Sequence, residues 1–133
     1  MFGAFDTSTS ALSAQRVRLE TIASNIANID SVLGPDGKPS TYRRLYPVFQ
    51  AQRTPGGGAG VSVKSIEQDP SPFIERKDPF NPAAKANGYV SYPNVDLMTE
   101  YVNAMETTRA YEANITAIET TKSMMNATLR VLA

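Results

Sequence analysis

The feature that most constrains the fold is an uninterrupted run at the C-terminal end of the sequence. No glycine or proline occurs from Asn94 to Ala133. Apolar or small residues recur along this run at alternating steps of three and four, which is the period of one face of an α-helix. Pro93 and Asn94 together form a typical helix start. The sequence therefore predicts one long helix over residues 93–133.

A second stripe with the same spacing runs from Phe5 to Ile29 near the N-terminus. It ends before the turn-rich segment Gly34–Pro39, where glycine and proline prevent a helix from continuing. Asp6 or Ser8 is suited to cap the start of this helix. The pattern predicts an N-terminal helix over residues 1–30.

The middle of the chain, residues 31–92, holds every proline except Pro93 and every glycine except Gly3. Residues 42–52 and 61–68 are rich in β-branched and aromatic side chains and are predicted to be strands. The predicted fold class is mainly α with a small irregular β middle. The long N- and C-terminal helices are expected to form a coiled-coil-like assembly domain, in which 93–133 pairs with 1–30.

Composition disfavours several classes of function. The chain has 133 residues, enough for one modest domain, and its 13 basic and 13 acidic residues give no net field that would attract nucleic acid. It contains no cysteine and no histidine, so thiolate chemistry, the usual general base and the commonest metal ligand are missing. We therefore expect no catalytic, cofactor-binding or metal-binding residues, no nucleic-acid partner and no small-molecule substrate.

Two features could suggest chemistry. The glycines between Gly56 and Gly60 could form a phosphate cradle, but no Lys-Ser/Thr pair follows and no helix begins there, so a flexible hairpin loop is favoured. Glu106, Glu112 and Glu119 lie near one side of the predicted second helix, but nothing indicates the pocket that acid–base work would need. We interpret these carboxylates as a solvated or interface-lining face.

The surfaces of the two helices carry few charges. Asp6 is the only charged residue from Gly3 to Ala14, and none lies between Ser123 and Leu129. Small uncharged residues allow helices to approach closely on more than one side, although the pattern alone fits an ordinary two-helix hairpin equally well. The short middle favours the assembly interpretation, because it gives one isolated copy little core.

The predicted assembly interface consists of apolar-stripe residues of both helices, together with three asparagines that lie beside the stripes. It comprises Leu12, Leu19, Ile22, Asn25, Ile26, Asn28, Ile29, Leu97, Tyr101, Ala104, Tyr111, Asn114, Ile115, Ile118, Met125, Leu129 and Leu132.

Both ends of the chain carry recognisable motifs. SNIANID at Ser24–Asp30 resembles the N-terminal signature of the flagellar axial proteins, which form the rod and the hook. GYVSYPNVD at Gly88–Asp96, YEAN at Tyr111–Asn114 and LRVL at Leu129–Leu132 resemble the C-terminal signature of the same family. The short middle is similar to that of the proximal-rod members, of which a smaller relative stays as an alternative.

The resemblance implies a structural subunit of the flagellar basal-body rod that transmits torque and forms part of the export-channel wall. Its implied partners are copies of itself, other rod proteins and the flagellar export apparatus. Because the N-terminus has no basic and apolar signal segment, export to a rod spanning the periplasm is expected without a cleaved signal peptide. A cytoplasmic helical adaptor is the alternative from another functional class.

Overall fold

The computed structural model describes residues 2–133. The fold has a long helix at each end of the chain and two small antiparallel hairpins between them in the sequence. The elements, in chain order, are α1 (Phe2–Ala27), β1 (Leu45–Arg53), β2 (Ala59–Gln68), β3 (Ile74–Lys77), β4 (Tyr89–Tyr92) and α2 (Leu97–Leu132). The fold class predicted from the sequence is confirmed.

Helix α1 differs from its prediction at both ends. It already includes Phe2, so neither Asp6 nor Ser8 caps its start, and that part of the prediction is wrong. It ends at Ala27 because Asn28 turns the chain: the Asn28 side chain donates to the Ser24 carbonyl at 2.8 Å and accepts from the Ser31 hydroxyl at 3.0 Å. These bonds replace the next helical turn with a compact corner.

Helix α2 begins at Leu97, later than the predicted start at Pro93. Asp96 is the N-cap residue, and its carboxylate accepts hydrogen bonds from the Met98 N–H and, at 2.6 Å, from the Thr99 hydroxyl. The Thr99 hydrogen bond holds the pKa of Asp96 below its usual value. The charged carboxylate lies at the positive end of the helix dipole, where it is stabilising.

The β middle consists of two separate hairpins. Strands β1 and β2 correspond to the two predicted strands and pair from Leu45↔Gln68 to Arg53↔Ala59, with a bulge between Val48 and Phe49. Strands β3 and β4, which the sequence did not distinguish, form the second hairpin. A small apolar core lies beside this second hairpin and contains Val32, Ala83 and Val90, with Ala84 and Tyr92 packed against it.

The two helices pack against each other in antiparallel directions. Asn25 near the end of α1 contacts Glu100 near the start of α2, and Arg18 contacts Glu106. At 1.5 Å per residue, α1 with 26 residues and α2 with 36 residues are about 39 Å and 54 Å long. About three turns of α2 therefore project beyond the start of α1. Neither helix in residues 2–133 is long and apolar enough to cross a membrane.

The glycine-rich loop between β1 and β2 is a hairpin loop, as predicted, but its glycines serve close packing. A Cβ atom on Gly56 would lie 2.5 Å from the Asp6 carboxylate, and one on Gly58 would lie 2.8 Å from the Gly3 carbonyl oxygen. The Gly56 N–H donates to Asp6 at 2.9 Å, and Thr7 donates to the Ala59 carbonyl at 2.6 Å. The loop is thus docked on the first turns of α1, which corrects its interpretation as a flexible loop.

Gly58→Val is expected to lower the free energy of unfolding by about 1–3 kcal/mol, because the new side chain overlaps the main chain of α1. Urea denaturation of the purified chain, followed by circular dichroism, measures the change. Ala59→Val is the matched control, since Ala59 is an exposed strand residue. Equal unfolding midpoints for the two variants would contradict the close packing of the loop on α1.

Candidate assembly surface

Asn25 joins the end of α1 to the start of β1. Its side chain is fully buried and donates to the Leu45 carbonyl at 2.8 Å, while its oxygen accepts from the Leu45 N–H at 2.9 Å. The same oxygen accepts from the Tyr42 hydroxyl at 2.9 Å. The amide of Asn25 therefore pairs with one backbone residue as a neighbouring strand would, which is a geometry that a carboxylate could not reproduce.

A buried ion pair connects this junction to α2. Glu100 is fully buried, and it accepts from Arg44 Nε at 2.5 Å and from the Asn25 side chain at 3.3 Å. Arg44 also lies 3.5 Å from the carboxylate of Asp69. Hydrogen bonds from Ser71, together with the charge of Arg44, hold the pKa of Asp69 below its usual value. Both carboxylates thus face the same guanidinium group.

Asn94 completes this group of side chains. Its side-chain oxygen accepts from the backbone N–H of Arg44 at 2.9 Å. Its side-chain NH2 group donates to the backbone carbonyls of Asp69 and Ser71 at 3.1 and 3.0 Å. We call Asn25, Arg44, Asp69, Asn94 and Glu100 the polar hub. It links α1, the start of β1, the segment after β2 and the start of α2, and so fixes the relative position of the two helices.

From Glu100 to Asn114, the face of α2 that contacts α1 is formed mainly by small and polar side chains. Besides Glu100, it includes the fully buried Thr107, whose hydroxyl donates to the Asn103 carbonyl of its own helix at 2.6 Å. Asn114, further along, likewise donates to the Ala110 carbonyl at 2.8 Å. Because these polar groups are satisfied within α2, the helices can approach closely, but they bury little apolar area.

The predicted interface residues fall into three groups. Ile22 and Asn25 are buried within the chain; Leu12, Leu19, Ile26, Asn28, Ile29, Ala104, Tyr111, Asn114, Ile118 and Met125 are half-buried; and Leu97, Tyr101, Ile115, Leu129 and Leu132 are exposed. A strict heptad stripe drifts by about 20° per heptad on a straight helix. For this reason the stripe begins beside the α1 contact, crosses it near Ile118 and continues beyond the start of α1. Contact of these residues with neighbouring copies stays a prediction.

A second apolar surface on α2 was not identified from the sequence. Met98, Val102 and Met105 recur at steps of four and three, and with Tyr101 they form an exposed surface that we call the outer face. The same spacing rule would have found it if a parallel stripe had been sought. Clusters of exposed apolar side chains of this kind typically mark interaction surfaces.

The projecting end of α2 is also apolar. Leu129 and Leu132 continue the face that packs against α1, but they are 63% and 79% exposed because α1 does not reach them. Met124 and Val131 are exposed beside them. We call these four residues the projecting tip. Many large apolar side chains of α2 therefore lie away from its own partner helix.

Two family profiles match the ends of the chain. The profile described as flagella basal body rod protein matches residues 5–35, and the profile described as flagellar basal body rod FlgEFG protein C-terminal matches residues 86–131. The first segment contains Asn25, and the second contains Asn94 and Glu100 of the polar hub. The second also contains the whole outer face and most of the projecting tip.

Several known proteins are similar to the chain over nearly its whole length. The flagellar basal-body rod protein FlgC of Salmonella typhimurium is 50% identical over 126 residues, which cover 94% of this chain and 92% of that protein. FlgC of Bacillus subtilis is 38% identical over 145 aligned positions, covering 98% and 97%. FlgC of Borreliella burgdorferi is 36% identical over 148 positions, covering 99% and 97%. The resemblance found in the two terminal motifs is confirmed.

Proposed function

Because the chain belongs to the FlgC family of flagellar basal-body rod proteins, we propose that its copies pack through the exposed apolar surfaces of α2 to build the rod wall. The observation that carries this proposal is the distribution of side chains on α2. The buried residues of α2, Glu100 and Thr107, are polar, whereas the outer face and the projecting tip are apolar and exposed. A helix with apolar residues on several sides is suited to a position among other helices.

The proposed mechanism is mechanical. In a tube of packed helices, torque passes from copy to copy through interhelical contacts, and the wall that these helices form encloses a channel for exported subunits. The polar hub supports this role, since Glu100 of α2 contacts both Asn25 of α1 and Arg44, the residue before β1. Buried charged pairs of this kind favour a single arrangement over sliding alternatives. No step of this mechanism requires a catalytic residue.

The proposed partners follow from membership of the family. They are further copies of the chain, the rod proteins FlgB, FlgF and FlgG, the basal-body protein FliE, and the flagellar export apparatus. The family is a component of the flagellar basal body. Within it, we place the chain in the proximal rod that spans the periplasm, exported without a cleaved signal peptide.

An epitope inserted in the turn after Asp36 tests the proposal. The neighbouring Gly37 is exposed, and a Cβ on it would have no other atom within 4 Å, so the turn has room for an insertion. We expect basal bodies purified from swimming cells to carry the epitope in the proximal rod, as seen by antibody labelling in electron microscopy. Basal bodies from untagged cells are the control. Swimming cells whose intact basal bodies lack the tagged chain would contradict the proposal.

A further inference from the structure

Phe80 is the most exposed large apolar residue of the described chain. It lies between β3 and β4, in the turn that begins at Asp78, and 96% of its surface is accessible. The turn is well fixed: Asn81 donates from its N–H to the Asp78 carbonyl at 3.2 Å, and its side-chain oxygen accepts from the Ala83 N–H at 2.9 Å. Pro79 restricts the backbone just before the aromatic ring.

An aromatic side chain presented on a fixed turn is suited to anchor a partner. Its ordering entropy is small because the backbone is already held, and the ring has only two rotatable bonds. Aromatic anchors that enter a pocket account for a large share of binding energy at protein interfaces. Phe80, which we call the knob, is thus almost fully exposed in its own chain and is suited to enter a pocket on a neighbour.

A groove of matching character lies on α2. Tyr101, Ala104, Met105, Thr108 and Arg109 line a shallow depression of about 450 Å³, mostly through apolar atoms. Arg109 is the only charged residue among those that line it. In the same chain, Arg43 lies 4.2 Å from the ring centre of Phe73, and Arg76 lies 4.8 Å from that of Tyr92. Contacts between arginine and aromatic rings are therefore already part of how this chain packs.

We propose that Phe80 of one copy enters the groove formed by Tyr101, Met105 and Arg109 on α2 of the next copy, with the guanidinium over the ring. The inference rests on the proposed function, which supplies a neighbouring copy. Charge supports this occupant. The exposed Lys77, three residues before Phe80, complements the exposed Glu112, one helical turn beyond Thr108 on α2.

The proposed contact also has the symmetry that a rod needs. The knob and the groove are different surfaces of one chain, so the contact is heterologous. A heterologous contact that does not close into a ring adds copies without limit and produces a helical filament. A contact of one surface with itself would produce a closed dimer instead.

Disulfide trapping tests the contact, because the chain contains no native cysteine. A chain carrying both Phe80→Cys and Thr108→Cys is expected to form a ladder of disulfide-linked dimers, trimers and larger multimers in purified, oxidised basal bodies. Phe80→Cys combined with Thr120→Cys, an exposed position outside the groove, is the matched control and should give no ladder.

The outcomes separate this inference from the proposed function. If basal bodies contain the double variant in wild-type amount but give no ladder, or if Phe80→Cys links to a protein of another mass, the inference is wrong. If the chain is absent from wild-type basal bodies, the proposed function fails instead.

Substitutions provide a second readout. Phe80→Ser and Met105→Glu should each reduce the amount of the chain in basal bodies at least about tenfold, since each removes the same anchor contact. Their combined effect should not exceed either alone, and the melting temperature of the purified chain should not change. Additive losses would show that the two residues act at separate contacts.

Discussion

Glu100→Ala is expected to lower the free energy of unfolding of the purified chain by about 3 kcal/mol, which is large for a small domain. The substitution removes a carboxylate that is fully buried and leaves Arg44, whose side chain is only 20% exposed, without its shortest ionic contact. The remaining contact of Arg44, with Asp69 at 3.5 Å, is longer. Urea denaturation at neutral pH measures the loss.

The matched control for this prediction is the surface ion pair of α1. Arg16 and Glu20 lie 3.0 Å apart but are 76% and 62% exposed, so Glu20→Ala should cost less than about 0.5 kcal/mol. Replacing both buried partners, as Arg44→Met with Glu100→Leu, should recover most of the stability, because no unpaired charge is left. Glu100→Ala and Glu20→Ala variants of equal stability would show that the hub does not hold the subunit together.

The helices and the first hairpin could be predicted because local rules determine them. The spacing of three and four in the run from Asn94 to Ala133, which no glycine or proline interrupts, indicates a helix. β-Branched residues on both sides of a glycine-rich loop favour a hairpin. Strands β3 and β4 are only four residues long and have no distinct pattern. The small core beside them depends on contacts between distant parts of the chain.

The polar hub could not be predicted from spacing. Asn25, Arg44 and Glu100 are far apart in the sequence, and each alone has the appearance of an ordinary surface residue. Asn25 belongs to the predicted interface and to a family signature, but neither indicates its contacts with the start of β1. The structure gives the physical reason for that residue type, because its amide both donates to and accepts from the backbone of Leu45.

The apolar stripe on α2 was found, but its surroundings depend on the tertiary fold. A stripe with heptad spacing was expected to form one continuous seam. Since α2 is longer than α1 and the stripe drifts around it, the start of the stripe at Tyr101 and its end at Leu132 are exposed, while Ile118 lies against α1. Within one chain, only the middle of the stripe acts as a hairpin contact.

Because Leu129 is exposed in the single chain and Ile118 is not, a substitution at Leu129 tests assembly separately from folding. Leu129→Asp is expected to prevent rod formation while leaving the purified chain as stable as the wild type, within about 0.5 kcal/mol. Leu129 is 63% exposed in the single chain, so the carboxylate stays in water there. In the rod, the proposed contact would bury it without a partner, at a cost of several kcal/mol in addition to about 1.5–3 kcal/mol of lost apolar burial.

Two further variants separate assembly from folding. Ala127→Asp adds the same charge about 200° around the helix from Leu129, at an exposed position of α2, and should leave swimming close to normal. Ile118→Asp introduces the charge where α2 packs on α1, so it should reduce both the unfolding midpoint and rod formation. Swimming, the amount of chain in purified basal bodies and urea unfolding are the three readouts. Normal swimming of Leu129→Asp cells would show that the projecting tip stays in water after assembly, whereas equal loss of swimming in Leu129→Asp and Ala127→Asp cells would mean that neighbours enclose the end of α2 on opposite sides.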